Sequence, residues 1–232
     1  MAISERIHAD FTQRVILRSE DLPWIPSPQA GVNRRLLDRI GGEVARATSI
    51  VRYTPDSHFP AHTHGGGEEF FVLNGTFSDE HGDYPAGTYV RNPPGSSHTP
   101  FTKDGCTIFV KLRQMQPDDK THIAINTEIA KWSSGDNNRL SKLPLFAEPD
   151  NPERVELIRL ASHTQTSPYI CNGGEEILVL SGTLEDSEGT YGPGTWIRNP
   201  PGFYQHLQSE AGATYWRKQG HLATMVQEGT GG

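Results

Sequence analysis

Apolar residues in this chain occur in short runs, and turn-forming residues interrupt them every few positions. Residues 43–53 (EVARATSIVRY) are rich in β-branched side chains and partly alternate between apolar and polar, as a half-buried strand does. Residues 69–75 and 106–112 are short apolar runs, and residues 87–95 run into a Pro-Pro-Gly turn. Clusters containing Gly, Asp and Pro separate these runs. The pattern therefore predicts short antiparallel strands in a sandwich or barrel.

Two stretches, residues 31–40 and residues 124–132, are compatible with a helix. Neither has a convincing helical pattern, and the supply of turn formers, 24 Gly and 17 Pro, favours many short strands over long helices. We therefore predict an all-β fold.

The chain also repeats itself. Residues 66–95 align without a gap on residues 173–202 at a constant offset of 107, and 18 of the 30 positions are identical. Upstream, Ile50-Val51-Arg52 falls on Leu157-Ile158-Arg159 at the same offset. Two copies of one unit therefore make up the chain. We predict a first domain over residues 1–120, including an N-terminal arm, and a second over residues 121–232.

Charge and length exclude several classes of protein. The net charge is −7, with 21 Lys and Arg against 28 Asp and Glu, and no basic run stands out. This balance argues against a nucleic-acid partner or an anionic membrane surface. No segment approaches the roughly 20 apolar residues that a membrane span needs, and the chain has only two Cys. We expect a cytoplasmic protein without membrane association.

The candidate chemistry lies in HTHGGGEEFF, residues 62–71. His62 and His64 are two residues apart and project from the same face of a strand. Glu68 follows a glycine run that allows a sharp turn, and His98 follows a Pro-Pro-Gly turn. Three neutral imidazoles and one carboxylate suit Zn²⁺, Fe²⁺, Mn²⁺ or Ni²⁺. Strand alternation turns the neighbouring Glu69 to the other face, where we predict an exposed carboxylate.

These residues carry a family resemblance. His62, His64, Glu68 and Gly75 match HxHxxxExxxxxxG. A second pattern, GxxxxxPxGxxH, is matched by Gly87, Pro93, Gly95 and His98. Together they resemble the two motifs of the cupin superfamily, except that Asp56 replaces the opening Gly and the closing Asn is missing. The surrounding residues are most similar to ChrR-like cupins, which include the cupin half of zinc anti-sigma factors and enzymes resembling acetylacetone dioxygenase.

The resemblance implies a bicupin, with two tandem RmlC-like jelly-roll β-barrels formed by internal duplication. It also supports the ligand set His62, His64, Glu68 and His98, and selects Glu68 over Glu69 by its seven-residue distance from Gly75. An anti-sigma role would require a sigma-binding domain with an HxxxCxxC zinc motif. Cys106 and Cys171 are 65 residues apart, so that domain is not expected here.

The second copy has lost most of this ligand set. At offset 107, His62, His64 and His98 become Tyr169, Cys171 and Gln205, and the carboxylate persists as Glu175. Tyr and Gln are poor metal ligands, so we expect one divalent transition metal per chain, Zn²⁺ or Fe²⁺ in the first instance. We expect Cys171 to be a small buried side chain without special reactivity.

Arg91 and Arg198 occupy matching positions in the RNPPG sequence that both copies share. They are compatible with two interpretations, arginines that line a pocket and hold an anion, or surface arginines at strand ends.

Three functions remain open at this stage. The chain could be a metal-binding module that holds or senses a small molecule, with a homodimer as one available assembly. It could be a non-haem Fe(II) dioxygenase that acts on a small chelating substrate such as a β-diketone. The metal could also have a structural role alone. The sequence assigns no catalytic residue.

Overall fold

The computed structural model describes residues 6–134, 139–223 and 225, which form short β-strands and one turn of 3-10 helix at Ser19–Asp21. The strands up to residue 126 are β1 Arg6–Ile7, β2 Val15–Arg18, β3 Ile25–Pro26, β4 Val32–Ile40, β5 Arg46–Tyr53, β6 Ser57–His58, β7 His62–Thr63, β8 Glu68–Asp79, β9 Gly82–Pro85, β10 Thr88–Asn92, β11 Ser97–His98, β12 Phe101–Thr102, β13 Cys106–Leu112 and β14 Ile123–Asn126. The later strands are β15 Ser133–Ser134, β16 Leu140–Ala147, β17 Arg154–Leu160, β18 Thr164–Gln165, β19 Tyr169–Cys171, β20 Glu175–Gly182, β21 Leu184–Asp186, β22 Gly189–Tyr191, β23 Thr195–Asn199, β24 Phe203–Gln205, β25 Gln208–Ser209 and β26 Ala213–Gln219.

The two copies fold into the same antiparallel arrangement. The first has the sheet order β1-β4-β5-β13-β8-β10-β14, and the second has β15-β16-β17-β26-β20-β23-β2. Smaller pairings complete each barrel, including β7 with β11 in the first copy and β19 with β24 in the second. The predicted all-β fold with two tandem jelly-roll barrels is confirmed.

The outermost strand of each sheet is supplied by the segment that precedes the other copy in sequence. β14 pairs with β10 of the first barrel, and β2 of the N-terminal arm pairs with β23 of the second. Accordingly, one compact unit contains the chain up to Ala9 and Leu22–Ala130, and the other contains Asp10–Asp21 and the chain from Lys131 onward. The domain bounds of 1–120 and 121–232 stay a prediction, and sequence order alone does not determine where a short edge strand pairs.

The four predicted strands are present as β5, β8, β10 and β13, although β8 extends to Asp79. Both stretches that were compatible with a helix contain strands instead. Residues 32–40 form β4, which is held by β5 along its length, and residues 123–126 form β14. Tertiary pairing decides the structure of such short segments. No helix among the described residues is long and apolar enough to cross a membrane.

Each barrel has its own apolar core. The first core consists of side chains that alternate inward along the main strands: Val32, Val51, Phe70, Val72, Phe77, Tyr84, Val90, Cys106, Ile108 and Val110. The second consists of Ile158, Leu160, Ile177, Val179, Leu184, Tyr191, Ile197, Leu207, Ala213 and Tyr215. Burial of these side chains stabilises each barrel independently of any ligand.

The motif glycine Gly75 and its counterpart Gly182 mark an irregularity in the longest strands. Both have positive φ, +72° and +71°, and an added Cβ would lie 2.1 Å from the Gly105 carbonyl oxygen and 1.9 Å from that of Gly212. A side chain does not fit at either position. The backbone shape of the strand, rather than metal binding, therefore explains why both copies have this glycine.

Candidate metal centre

Two short strands bring the histidines of the first copy together. β7 and β11 are antiparallel, with His62 directly opposite His98. His64 follows β7 by one residue, and Glu68 is the first residue of β8. The side chains of His64, Glu68 and His98 are buried, whereas that of His62 is half-buried. The structure thus brings together all four residues proposed as ligands from the sequence.

The ligand atoms lie at short distances from one another. His64 Nε2 is 3.2 Å from His98 Nε2, and Glu68 Oε2 is 3.4 Å from each of these two atoms. One ligand atom from each of the four residues lies within 4.8 Å of every other.

The other ring nitrogens determine which tautomer each histidine adopts. His62 Nδ1 is 3.0 Å from the Pro60 carbonyl oxygen, which can only accept a hydrogen bond. His98 Nδ1 is 3.0 Å from a carboxylate oxygen of Asp79. Because both partners accept, the tautomer assigned to His62 and to His98 is the one with the proton on Nδ1.

His64 adopts the same tautomer. The Ser96 hydroxyl donates to the Pro93 carbonyl oxygen at 2.6 Å, so its oxygen accepts the hydrogen bond from His64 Nδ1 at 3.0 Å. The unprotonated Nε2 atoms of His64 and His98 consequently direct their lone pairs at each other and at Glu68. Such a cluster of acceptors is unfavourable unless a proton on Glu68 or a metal cation lies between them.

A transition metal fits this donor set. Ligand distances of about 2.1 Å give ligand-to-ligand separations of about 3.4 Å in a tetrahedral site and about 3.0 Å between neighbours in an octahedral one. The three measured separations, 3.2 to 3.4 Å, fall in this range. Imidazole nitrogens with one carboxylate suit Zn²⁺, Fe²⁺, Mn²⁺ and Ni²⁺ alike, so the donor set defines a metal class.

Burial shifts the ionisation of these groups towards their neutral forms. Burial, and then the neighbouring His98 and His62, lower the pKa of His64 to about 3. Burial is also the main cause that lowers the pKa of His98. For Glu68, burial raises the pKa to about 7, although the Asn92 amide that donates to it opposes the shift. His64 and His98 are thus neutral near pH 7, while Glu68 would release a proton if a metal bound.

Aromatic side chains surround the histidines on the barrel interior. The Phe59 ring is 5.5 Å from the His62 ring, and the Phe77 ring is 5.9 Å from that of His98. Tyr53 packs edge-on against both phenylalanines. A ligand that reaches the centre would therefore meet apolar walls together with the metal.

A family model described as the ChrR cupin-like domain matches the chain twice, over residues 12–116 and 120–223. The chain belongs to the ChrR cupin-like family.

The departure from the cupin motif at Asp56 has a simple local explanation, because Asp56 has φ +57°. Asp is among the few residues that tolerate this left-handed region, so it can replace the glycine.

Solved structures with the same fold show no close sequence relationship. A candidate dioxygenase from Nostoc punctiforme is 16% identical, with 91% of this chain and 84% of that chain covered and a TM-score of 0.76. The bacterial pirin YhhW from Escherichia coli, in complex with nickel(II), is 10% identical, with coverage of 89% and 98% and a TM-score of 0.66. Oxalate decarboxylase from Lactobacillus farciminis, in a formate complex, is 9% identical, with coverage of 94% and 89% and a TM-score of 0.61. No curated protein matches the chain in sequence.

In the second cupin barrel, hydrogen bonds occupy the remaining carboxylate. Both oxygens of the fully buried Glu175 accept two hydrogen bonds each. The four donors and their distances are Tyr169 Oη at 2.8 Å, Gln219 Nε2 at 2.8 Å, Asn199 Nδ2 at 3.1 Å and Cys171 Sγ at 3.6 Å. These bonds use the four lone-pair sites of a carboxylate, so Glu175 has none left for a metal.

An arginine provides a positive charge beside this carboxylate. Arg217 Nη1 lies 3.7 Å from Glu175 Oε2, and Arg217 Nε donates to Glu156 at 3.1 Å. Burial alone would lower the pKa of Arg217, but Tyr215 and these two glutamates raise it above its ordinary value. The matching residue in the first barrel is Val110. In the second barrel, then, an arginine side chain lies beside the carboxylate, where the first barrel has an apolar residue.

The predicted role of Cys171 agrees with its surroundings. It is buried, and burial followed by the charge of Glu175 raises the pKa of its thiol well above the usual value. A thiol in these surroundings is a weak nucleophile.

Glu69 and Arg91 are both buried, so the prediction of an exposed Glu69 and the interpretation of Arg91 as a surface arginine are wrong. Glu69 is only 2% exposed, and its carboxylate accepts a hydrogen bond from the fully buried Arg91 at 3.2 Å, so it is not the exposed carboxylate predicted. Arg91 also donates to Asp119 at 2.5 Å. Strand alternation does turn both residues away from the histidines. It does not reveal that this second face is covered as well.

Arg198 is likewise fully buried, and neither of the two interpretations proposed for these arginines applies to it. Its guanidinium donates to the Asp10 carbonyl oxygen at 2.9 Å and stacks on the Phe11 ring at 4.2 Å. Arg198 therefore attaches the N-terminal arm to the second barrel.

Sequence reasoning missed three residues that contact the candidate ligands: Asn92, Ser96 and Asp79. Asn92 and Asp79 are each identical in the second copy, as Asn199 and Asp186. That identity is the available signal, although both positions also fit ordinary turns. Ser96 has no such counterpart, since the second copy has Phe203 at this position.

Proposed function

We propose that the first barrel of this chain is a mononuclear centre for a divalent transition metal, and that the chain binds or senses a small molecule there. The observation that supports it best is the cluster of acceptors, in which two Nε2 atoms and one carboxylate oxygen face one another at 3.2 to 3.4 Å. Without a metal, only a proton on Glu68 can lie between these lone pairs. A divalent metal there would use all of them as ligands.

The half-buried His62 supports access to this centre. The other three ligands are buried, so a small molecule would approach from the side of His62. A metal such as Fe²⁺, Mn²⁺ or Ni²⁺ takes up to six ligands and would accept donor atoms from that molecule as a Lewis acid. The pirin structure in complex with nickel(II) supports such a metal in this fold.

The residues of the chain have separate tasks in this proposal. The hydrogen bonds from Nδ1 orient the imidazoles, Asn92 holds Glu68, and Phe59 and Phe77 exclude water from the neighbouring space. A purely structural metal is less consistent with the structure, because the apolar core of this barrel is complete around other residues.

A non-haem Fe(II) dioxygenase is the alternative, with a small chelating substrate such as a β-diketone. The three imidazoles and the accessible side at His62 favour it, as does the similarity in fold to the candidate dioxygenase. In that case both oxygen atoms of O₂ would enter the two fragments of the cleaved diketone, a carboxylic acid and a 2-oxoaldehyde, and no external reductant would be consumed.

Metal analysis of the purified chain tests the proposal directly. We expect about one divalent transition metal per chain, since the first barrel has the ligand set and the second does not. His64→Ala should abolish most of this binding, whereas His163→Ala, a change of an exposed histidine in the second barrel, should leave it unchanged. A wild-type chain that takes up no metal, or two equivalents, would contradict the proposal.

Oxygen uptake then separates the two functions. The Fe(II)-loaded protein is offered a panel of β-diketones and catechols. Uptake that requires a substrate and disappears in His98→Ala would establish the dioxygenase. Saturable binding of such compounds without oxygen uptake, followed by calorimetry, would establish the binding module.

A further inference from the structure

Asp79 is a buried carboxylate at the end of β8, and its two oxygens have different partners. Oδ1 accepts hydrogen bonds from the Tyr84 hydroxyl at 3.1 Å and from the His81 backbone N–H at 2.8 Å. Oδ2 lies 3.0 Å from His98 Nδ1. One oxygen thus belongs to the β8–β9 turn, and the other is directed at a candidate metal ligand.

The second copy separates these two tasks. Its Asp186 has the same pair of turn contacts, with the Tyr191 hydroxyl at 2.7 Å and the Glu188 N–H at 2.8 Å. Its Oδ2 bonds to Arg14, because Gln205 replaces the histidine. Maintaining the turn therefore explains the Oδ1 contacts of both aspartates, but it does not explain the contact between Asp79 and His98.

The partners of the other two imidazoles are uncharged, a carbonyl oxygen for His62 and a hydroxyl for His64. A carboxylate differs from these because it makes the imidazole a stronger ligand as well as fixing its tautomer. It also adds a second negative charge, after that of Glu68, close to a divalent cation in a buried site.

We infer that Asp79 is a positioning residue that holds His98 with Nε2 directed at the metal and supplies half of the negative charge that balances a divalent ion. The inference rests on the proposed metal centre and deepens it.

The test compares Asp79→Asn with its matched control, Asp186→Asn. Each variant loses a buried carboxylate from the corresponding turn of its own barrel. Only Asp79→Asn also loses the contact with a candidate metal ligand. The amide that Asp79→Asn introduces could donate to His98 Nδ1 and so favour the wrong tautomer. We expect Asp79→Asn to raise the Kd for Zn²⁺ and Co²⁺ by about 10- to 100-fold, as for other partners of metal-bound histidines. Asp186→Asn should bind as the wild type does.

A second readout needs no metal. Long-range ¹H–¹⁵N spectra of the metal-free protein should show His98 protonated on Nδ1 in the wild type and in Asp186→Asn, and on Nε2 or in a mixture in Asp79→Asn. Equal losses of affinity in the two variants, or an unchanged tautomer and Kd in Asp79→Asn, would overturn the inference. A wild-type protein that binds no metal would defeat the proposed centre, whereas the tautomer change would still support the positioning role of Asp79.

Discussion

Binding of a metal at the first barrel should depend on pH through Glu68 far more than through His64. Burial raises the pKa of this carboxyl group to about 7, whereas burial and the neighbouring imidazoles lower that of His64 to about 3. A metal competes with the proton on Glu68 over the whole range below neutrality. It competes with a proton on His64 only in strong acid.

The size of the effect follows from these two values. At pH 7 about half of the Glu68 carboxyl groups are ionised, and at pH 5 about 1% are, so competition at Glu68 should raise the apparent Kd about 50-fold over this interval. Above pH 8 the contribution should vanish. His64 remains about 99% neutral at pH 5 and adds almost nothing.

Titration with Co²⁺ or Zn²⁺ against a competing chelator at half-unit steps from pH 5 to pH 8 measures this dependence. Glu68→Gln should bind more weakly at pH 8 and should lose the Glu68 contribution, so that its Kd changes less between pH 7 and pH 5. Glu210→Gln, a change of an exposed carboxylate in the second barrel, controls for a general effect of charge. Parallel pH curves for the wild type and Glu68→Gln would refute the reasoning.

Three further predictions concern stability. Arg217→Leu should destabilise the protein by about 3–5 kcal/mol in urea unfolding, because it removes the cation beside the buried Glu175; a change within 1 kcal/mol would mean that this arginine is dispensable. A chelator at neutral pH should lower the melting temperature and leave the β-sheet circular dichroism intact, since each barrel has its own core; complete unfolding would instead favour a structural metal. Gly75→Ala should destabilise more than Gly95→Ala, since both glycines have positive φ but an added Cβ meets backbone only at Gly75; equal losses of stability would show that the close contact is unimportant.

Much of the fold and the proposed ligand set followed from the sequence because they depend on spacing. The offset of 107 identified the duplication, and the two-residue spacing of His62 and His64 placed both imidazoles on one face. The register that sets His62 opposite His98 then completes what the motif implied. Such features depend on local geometry and need no knowledge of what packs around them.

Other features depend on what covers a strand, which spacing does not reveal. Alternation placed Glu69 away from the histidines, but whether that face met water depended on Arg91 and Asp119. Which strand β2 pairs with depended on the free edge that β23 offers. Likewise, the position of Glu68 in the motif does not reveal that burial raises its pKa to about 7.

The two barrels also show which parts of the motif depend on a metal. Glu68, Asp79 and Asn92 all persist in the second copy, as Glu175, Asp186 and Asn199, although Tyr169, Cys171 and Gln205 replace the histidines there. These three residues therefore have tasks in the barrel itself, a turn and a buried polar contact, that remain when the ligands are lost. In the second copy this carboxylate has a positive partner, Arg217, where the first copy has Val110. The histidines, and not the glutamate, are what distinguish the first barrel as the candidate metal centre.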